Sequence, residues 1–153
     1  MNKKEHLKEL LVNQIQNVLE KRIETAIHDI ELAKESRDNE TKSSVGDKYE
    51  TGRAMVQFEI EKNNVQLNKA IQLKNEVAQI DLYKKSNIVE FGSIVKTNRG
   101  NYFVSVGLGK IEINNEIYFC VSLVSPIGKI LQNKCIGDII VFQGNEMQIT
   151  EII

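Results

Sequence analysis

The sequence predicts an α+β protein in which an N-terminal antiparallel α-helical coiled-coil hairpin precedes a C-terminal antiparallel β-sheet domain with one short helix. The single proline is Pro126, and only Gly46 and Gly52 of the nine glycines lie in the first 85 residues. Apolar residues in the first half recur in steps of three and four, as in helices. The second half contains short β-rich runs divided by glycine and asparagine.

The first half contains two apolar stripes, each suited to one face of a helix. The first comprises Val12, Ile15, Leu19, Ile23, Ala26, Ile30 and Ala33, and the second comprises Tyr49, Val56, Ile60, Leu67, Ala70, Leu73 and Val77. Residues 36–47 between them are rich in turn-forming and capping residues, so we expect the hairpin tip at about 37–47. Ser43 or Ser44 is expected to cap the second helix.

Five β-rich runs are expected to form the sheet: Ile94–Thr97, Tyr102–Val106, Ile117–Val121, Ile139–Phe142 and Met147–Ile149. Turns are expected at Arg99-Gly100-Asn101, Asn114-Asn115 and Gly144-Asn145. Ser125 and Pro126 are expected to be the cap and the first residue of a short helix. The predicted organisation is therefore a hairpin domain at 1–81, a connector at 82–88 and a sheet domain at 89–153.

Composition limits the classes of function. The net charge of −1 provides no broad positive field for capturing nucleic acid. We find no secretory signal pattern and no apolar run of about 18 residues, so we expect a cytoplasmic protein without a membrane partner. Cys120 and Cys135 lack the spacing of metal ligands and are predicted to be buried, reduced thiols.

Three segments of the second half resemble the C-terminal domain of the Gre transcript-cleavage factors. They are Val89–Val95 with Phe91-Gly92-Ser93, the run Ser125-Pro126-Ile127-Gly128, and Cys135–Val141 with Gly137-Asp138. Each dipeptide is a common turn element, and their order and spacing carry the resemblance.

The resemblance implies a sheet domain with an FK506-binding-protein-like (FKBP-like) fold that docks at the rim of the secondary channel of bacterial RNA polymerase. The hairpin would enter the channel, with indirect contact to nascent RNA. In the cleavage factors, acidic tip residues hold a Mg²⁺ ion shared with the polymerase active site and help to activate water. The chain is thus expected to be an accessory factor rather than an enzyme, without a stably bound cofactor or small-molecule ligand.

The tip departs from the family pattern. Aligning Tyr49 with the tyrosine that follows the family's tip places the expected catalytic acids at Lys42 and Val45, which cannot bind Mg²⁺. The candidate tip acids are instead Asp38, Glu40, Asp47 and Glu50. Asp47 and Glu50 are three residues apart, could share one helical face and are the candidate metal ligands. The alternative is a set of solvated carboxylates at helix ends.

The candidate polymerase-binding residues are Ser125, Pro126, Gly137 and Asp138, mainly as a structural signature, together with Tyr49 and Arg53. Two alternatives remain open: a polymerase modulator that does not stimulate cleavage, and a hairpin that binds another protein or itself. A prolyl isomerase is suggested only by the implied fold, and the lack of Trp disfavours its aromatic pocket.

Overall fold

A computed structural model describes the backbone of residues 2–43 and 47–153 and the side chains of residues 2–39 and 50–153. Its elements, in chain order, are α1 (Lys3–Ser43), α2 (Asp47–Val77), β1 (Ile94–Thr97), β2 (Gly100–Val104), β3 (Gly109–Ile113), β4 (Glu116–Val121), α3 (Pro126–Leu131), β5 (Ile139–Phe142) and β6 (Asn145–Ile152). None of these helices has a stretch long and apolar enough to cross a membrane. The predicted α+β class is confirmed.

Contacts divide the chain into two compact units. Met1–Gln16 and Asn75–Ile153 form the sheet unit, and Asn17–Lys74 forms the hairpin unit. The domain limits drawn from the sequence at residues 81 and 89 remain a prediction.

Helix α1 begins with a reciprocal cap. The Asn2 side chain accepts a hydrogen bond from the Glu5 backbone N–H at 2.8 Å, and the Glu5 carboxylate accepts one from the Asn2 backbone at 3.1 Å. This arrangement satisfies amide groups that have no partner within the helix. From this start α1 continues for 41 residues, a length of about 60 Å.

In the hairpin unit, α1 and α2 run antiparallel. Near one end, Lys74 bonds to Glu20 at 3.0 Å, and near the other, Arg37 bonds to Gln57 at 3.1 Å. Between these pairs, the core contains buried Ile30, Ala33 and Ile60, with Val56 and Leu67 packed against it. These residues belong to the two stripes read from the sequence, so the predicted seam is confirmed here.

The interruption between the helices is shorter than predicted. Helix α1 extends to Ser43 and α2 begins at Asp47, so most of the segment expected to be a turn is helical. Ser43 therefore lies inside α1 and cannot cap α2, whereas Ser44 lies outside the described residues. A polar sequence without proline or glycine can continue a helix, although it contributes nothing to an apolar seam.

The sheet unit contains six strands in the order β3-β4-β2-β1-β6-β5. Neighbouring strands are antiparallel except β2 and β4, which pair in parallel, with Phe103 opposite Cys120. The parallel pair is an exception to the predicted antiparallel sheet. It arises because β3, which the sequence analysis did not predict, forms a hairpin with β4 and occupies the sheet edge.

Tight turns set the register of two hairpins. Asn114 and Asn115 both have positive φ, 53° and 67°, as do Gln143 and Gly144, at 52° and 77°. Two consecutive residues with positive φ match the twist of the flanking strands, and asparagine and glycine tolerate this conformation best. The predicted turn at Asn114-Asn115 is confirmed. The other two predicted turns are displaced along the chain: Asn98 and Arg99 join β1 to β2, whereas Gly100 and Asn101 are already in β2, and Gln143 and Gly144 join β5 to β6, whereas Asn145 is already in β6.

Helix α3 packs on the sheet and closes its core. Buried Ile127 and Leu131 belong to one cluster with residues from four strands: Val95, Val104, Ile140, Met147, Ile149 and Ile152. Cys120 is also buried, and burial raises the pKa of its thiol to about 12. Cys135 is exposed, so the prediction that both thiols are buried was wrong for this residue.

Candidate functional site

The Ser-Pro segment at the start of α3 is held by hydrogen bonds of Ser125. Its hydroxyl donates to the Ser122 carbonyl oxygen at 2.6 Å and accepts from the Gly128 backbone N–H at 3.1 Å. Pro126 follows in the first turn, where its missing N–H has no cost and its fixed φ suits the helix. The predicted cap and first helical residue are confirmed.

Close backbone contacts explain why the residue at position 128, two after Pro126, is glycine. A Cβ atom on this buried residue would lie 1.9 Å from the Ser122 carbonyl oxygen and 2.9 Å from the Leu123 Cα atom. No side chain fits there without movement of the backbone. Sequence reasoning did not select Gly128 as a site residue, although a glycine inside a short helix is a signal of close backbone approach.

The Gly-Asp segment is a second braced turn. The Asp138 carboxylate accepts a hydrogen bond from the Cys135 backbone N–H at 2.7 Å, and the Asp138 N–H donates to the Cys135 carbonyl at 3.1 Å. Gly137 has a φ of +92° and donates its N–H to the Ile149 carbonyl at 2.7 Å. The turn thereby aligns β5 with β6.

Ser125, Pro126, Gly137 and Asp138 thus have local structural roles, and contact with a polymerase remains a prediction for all four. Exposed apolar residues beside these four include Val124, 79% exposed, and Ile136, 58% exposed, and Pro126 itself is exposed. Sequence reasoning missed Val124, because a single apolar residue in a loop has no periodic pattern to mark it.

The structure describes the side chains of two of the four candidate tip acids, Asp38 and Glu50. The Asp38 side chain is 68% exposed, with one carboxylate oxygen 3.7 Å from Arg37 Nε, and Glu50 is exposed on α2. The side chains of Glu40, Asp47 and Tyr49 lie outside the described residues. Within the described part of the chain, no three His, Cys, Asp or Glu residues are grouped as a metal site. The Asp47 and Glu50 pair therefore stays a prediction.

Asp47, Glu50 and Arg53 occupy one end of α2 at successive intervals of three residues. That spacing places them on neighbouring positions of one helical face. Arg53 is exposed and takes part in an interaction within the described structure. The described side chains of this face, Glu50 and Arg53, supply one carboxylate and one guanidinium.

A buried cation in the sheet unit was also missed. Lys8 is 4% exposed and borders a cavity of about 330 Å³ that is also lined by Asp81 and Glu90. Burial lowers the pKa of its ammonium, and the charges of Asp81 and Glu90 oppose this shift. Lys8 lies one turn before buried Leu11, so a stripe extended towards the N-terminus would have included it.

No family model and no curated protein sequence matches this chain. Among solved structures, the chain is similar to one described as "Structure of the transcription factor Gfh1", with 15% sequence identity over 90% of this chain and 92% of that chain. The TM-score is 0.38, a similarity too low to support an argument about function.

Proposed function

We propose that this protein is an accessory transcription factor that binds bacterial RNA polymerase and inserts its hairpin into the secondary channel. The observation that carries the proposal is the antiparallel pairing of α1 and α2. In the described part of the hairpin these two helices pack against each other through Ile30, Ala33 and Ile60. Two helices side by side measure roughly 20 Å across. A rod of this width can reach a recessed active site.

The sheet unit would supply the docking surface, in keeping with the Gre resemblance of its sequence. Its Ser-Pro helix and Gly-Asp turn are each held by local hydrogen bonds, which favours a defined contact surface around exposed Val124 and Pro126. This docking role, the cytoplasmic location and the identity of the partner are all parts of the proposal.

We propose that the hairpin end modulates the activity of the polymerase. In the stronger form of this proposal, it also stimulates cleavage of the RNA. Cleavage would require carboxylates that share Mg²⁺ with the polymerase, and Asp47 with Glu50 is the pair on α2 that could do so. No step can be assigned to Lys42 or Val45, the residues at the aligned catalytic positions.

Binding to purified bacterial RNA polymerase tests the proposal directly. We expect saturable binding that Val124→Glu weakens, while the matched change Val141→Glu, at a strand residue 61% exposed, leaves it unchanged. Absence of binding by the wild-type protein would refute the proposed function.

Backtracked transcription complexes with end-labelled RNA test the cleavage form. Shortened RNA at saturating protein, lost in Asp47→Asn/Glu50→Gln and retained in Glu59→Gln, would support metal sharing at the tip. Polymerase binding without shortened RNA would exclude cleavage and leave modulation, which a changed elongation rate would detect.

A protein-binding hairpin is the second candidate function, because α2 exposes large apolar side chains. Met55, Phe58 and Val65 are 68%, 69% and 68% exposed. Affinity capture from a bacterial extract separates the candidates: recovery of other proteins without polymerase subunits would favour this alternative.

A further inference from the structure

Helix α2 carries an exposed stripe with an apolar centre and basic flanks. Val65 is 68% exposed, and exposed Lys62 and Lys69 lie three residues before it and four after it. Steps of three and four keep these side chains on one face of the helix. Exposed Glu61, four residues before Val65, borders this face. We call the set of Lys62, Val65 and Lys69 the basic stripe.

Helix α1 carries a stripe of the same spacing and opposite charge. Ile27 is 42% exposed, and exposed Glu24 and Glu31 lie three residues before it and four after it. We call this set the acidic stripe. Within the described residues, none of the four charged side chains in the two stripes forms an ion pair.

The two stripes lie on different sides of the hairpin. A groove of about 710 Å³ between the helices is lined by Val65 and Lys69 together with Lys21 and Arg22 of α1, and by no residue of the acidic stripe. The carboxylate residue that lines this groove is Asp29, which is not part of the acidic stripe. One chain therefore does not pair its own stripes, and a complementary stripe would come from another molecule.

We propose that the occupant of the basic stripe is the acidic stripe of a second copy of this chain. Equal spacing allows Ile27 and Val65 to meet while each lysine reaches a glutamate, as flanking charges do beside coiled-coil seams. Complementary charge also disfavours the like-charged alternatives, basic on basic and acidic on acidic. This association is independent of polymerase binding.

A parallel arrangement of the two stripes fits best. With Ile27 opposite Val65, it places Glu24 opposite Lys62 and Glu31 opposite Lys69, because the spacing from the central apolar residue is the same in both stripes. An antiparallel arrangement would instead place Glu31 opposite Glu61, which is also exposed, and like charges directly opposite one another disfavour the contact.

The association is expected to be weak and open-ended. A contact of a few helical turns is small, so we expect a dissociation constant on the order of 100 μM at low salt. Each copy uses its basic stripe for one neighbour and keeps its acidic stripe for another, which is a head-to-tail contact. Average mass should therefore keep rising with concentration beyond that of a dimer.

Charge exchange with rescue tests the proposal. Lys62→Glu/Lys69→Glu gives a chain with two acidic stripes, and Glu24→Lys/Glu31→Lys gives a chain with two basic stripes. Each variant alone should associate at least about tenfold more weakly than wild type. Mixed in equal amounts, they should regain association, because every basic stripe again meets an acidic one.

Sedimentation equilibrium at low and high salt provides the measurement, with far-UV circular dichroism showing that the helices persist. The matched control Lys110→Glu/Lys129→Glu makes the same change in net charge in the sheet unit and should associate as wild type does. A wild-type protein that stays monomeric at millimolar concentration overturns the proposal. So does loss of association in the control, or a mixture of the two stripe variants that fails to associate.

Discussion

Gly128 is the position where one added methyl group should have the largest local effect. In Gly128→Ala the new Cβ atom would lie 1.9 Å from the Ser122 carbonyl oxygen, about 1.5 Å closer than the 3.4 Å at which ordinary contact begins. The obstacle is backbone, which cannot rotate away as a flexible side chain would. Helix α3 must therefore move off the loop before it.

The cost can be estimated from the contacts that this movement disturbs. Overpacking in a well-filled site costs about 1–3 kcal/mol. Moving α3 also stretches the Ser125 hydrogen bonds at 2.6 and 3.1 Å, and loss of a helix cap costs about 1 kcal/mol. Alanine recovers up to about 1 kcal/mol through its higher helix propensity. We expect a net destabilisation of about 2 kcal/mol.

Urea unfolding of the sheet unit measures this effect. Tyrosine fluorescence is a suitable probe, because the protein has no Trp and Tyr118 is buried in the sheet unit. The control is Gly107→Ala, since a Cβ atom at Gly107 meets nothing within 4 Å. If the free energies of unfolding of the two variants differ by less than about 0.5 kcal/mol, the close approach of Gly128 to Ser122 does not limit stability, which would refute the expected destabilisation.

Four further predictions concern other parts of the sheet unit. Asp138→Ala should lower the free energy of unfolding by about 1–2 kcal/mol, because the Cys135 amide loses its carboxylate acceptor. Lys8→Met should raise it by about 1 kcal/mol in urea unfolding, since it removes a charge from a buried site. Because the pKa of Lys8 is lowered in the folded protein, the folded state loses this proton at a lower pH than the unfolded state does. The free energy of unfolding of the wild-type protein should therefore increase as the pH rises towards 10.5, and this increase should be smaller in Lys8→Met. Under native conditions a thiol reagent should label exposed Cys135 rapidly and Cys120 only on unfolding.

Each of these predictions has a matched comparison. For Asp138→Ala it is Glu112→Ala, an exposed carboxylate on β3, which should change stability by less than about 0.5 kcal/mol. For Lys8→Met it is exposed Lys3→Met, and equal effects would contradict a special role for burial. Labelling of Cys120 at the rate of Cys135 would contradict the closed core.

The sequence predicted the elements that have strong local signals. Asn114-Asn115 marked a hairpin because asparagine adopts positive φ more readily than most residues, and Ser125-Pro126 marked a helix start because both suit the first turn. The sequence signal for strand β3 was weak, because the alternation of apolar and polar residues there depends on Ile111 and Ile113 alone. Apolar periodicity also gave the wrong end of α1, because it reports packing and the last turns of α1 have no apolar seam.

The candidate site was less predictable, because close approach and burial depend on tertiary structure. The dipeptides at 125–126 and 137–138 were visible in the sequence, but the contact between Gly128 and Ser122 depends on where a loop passes. Lysine is usually a surface residue, and Lys8 is buried only because of the packing around α1. The exposure of Val124 depends on the path of the loop before α3, which no local sequence pattern predicts.

The central position of β1 has a consequence for synthesis of the chain. Strand β1 lies between β2 and β6, and Val95 pairs with Ile152. The sheet therefore cannot close until a segment more than fifty residues further along has left the ribosome, whereas both hairpin helices precede β1. Contacts between distant segments also form slowly. We expect ribosome-bound chains halted before Asn145 to resist protease in the hairpin and to remain susceptible in the unfinished sheet, which limited proteolysis would detect.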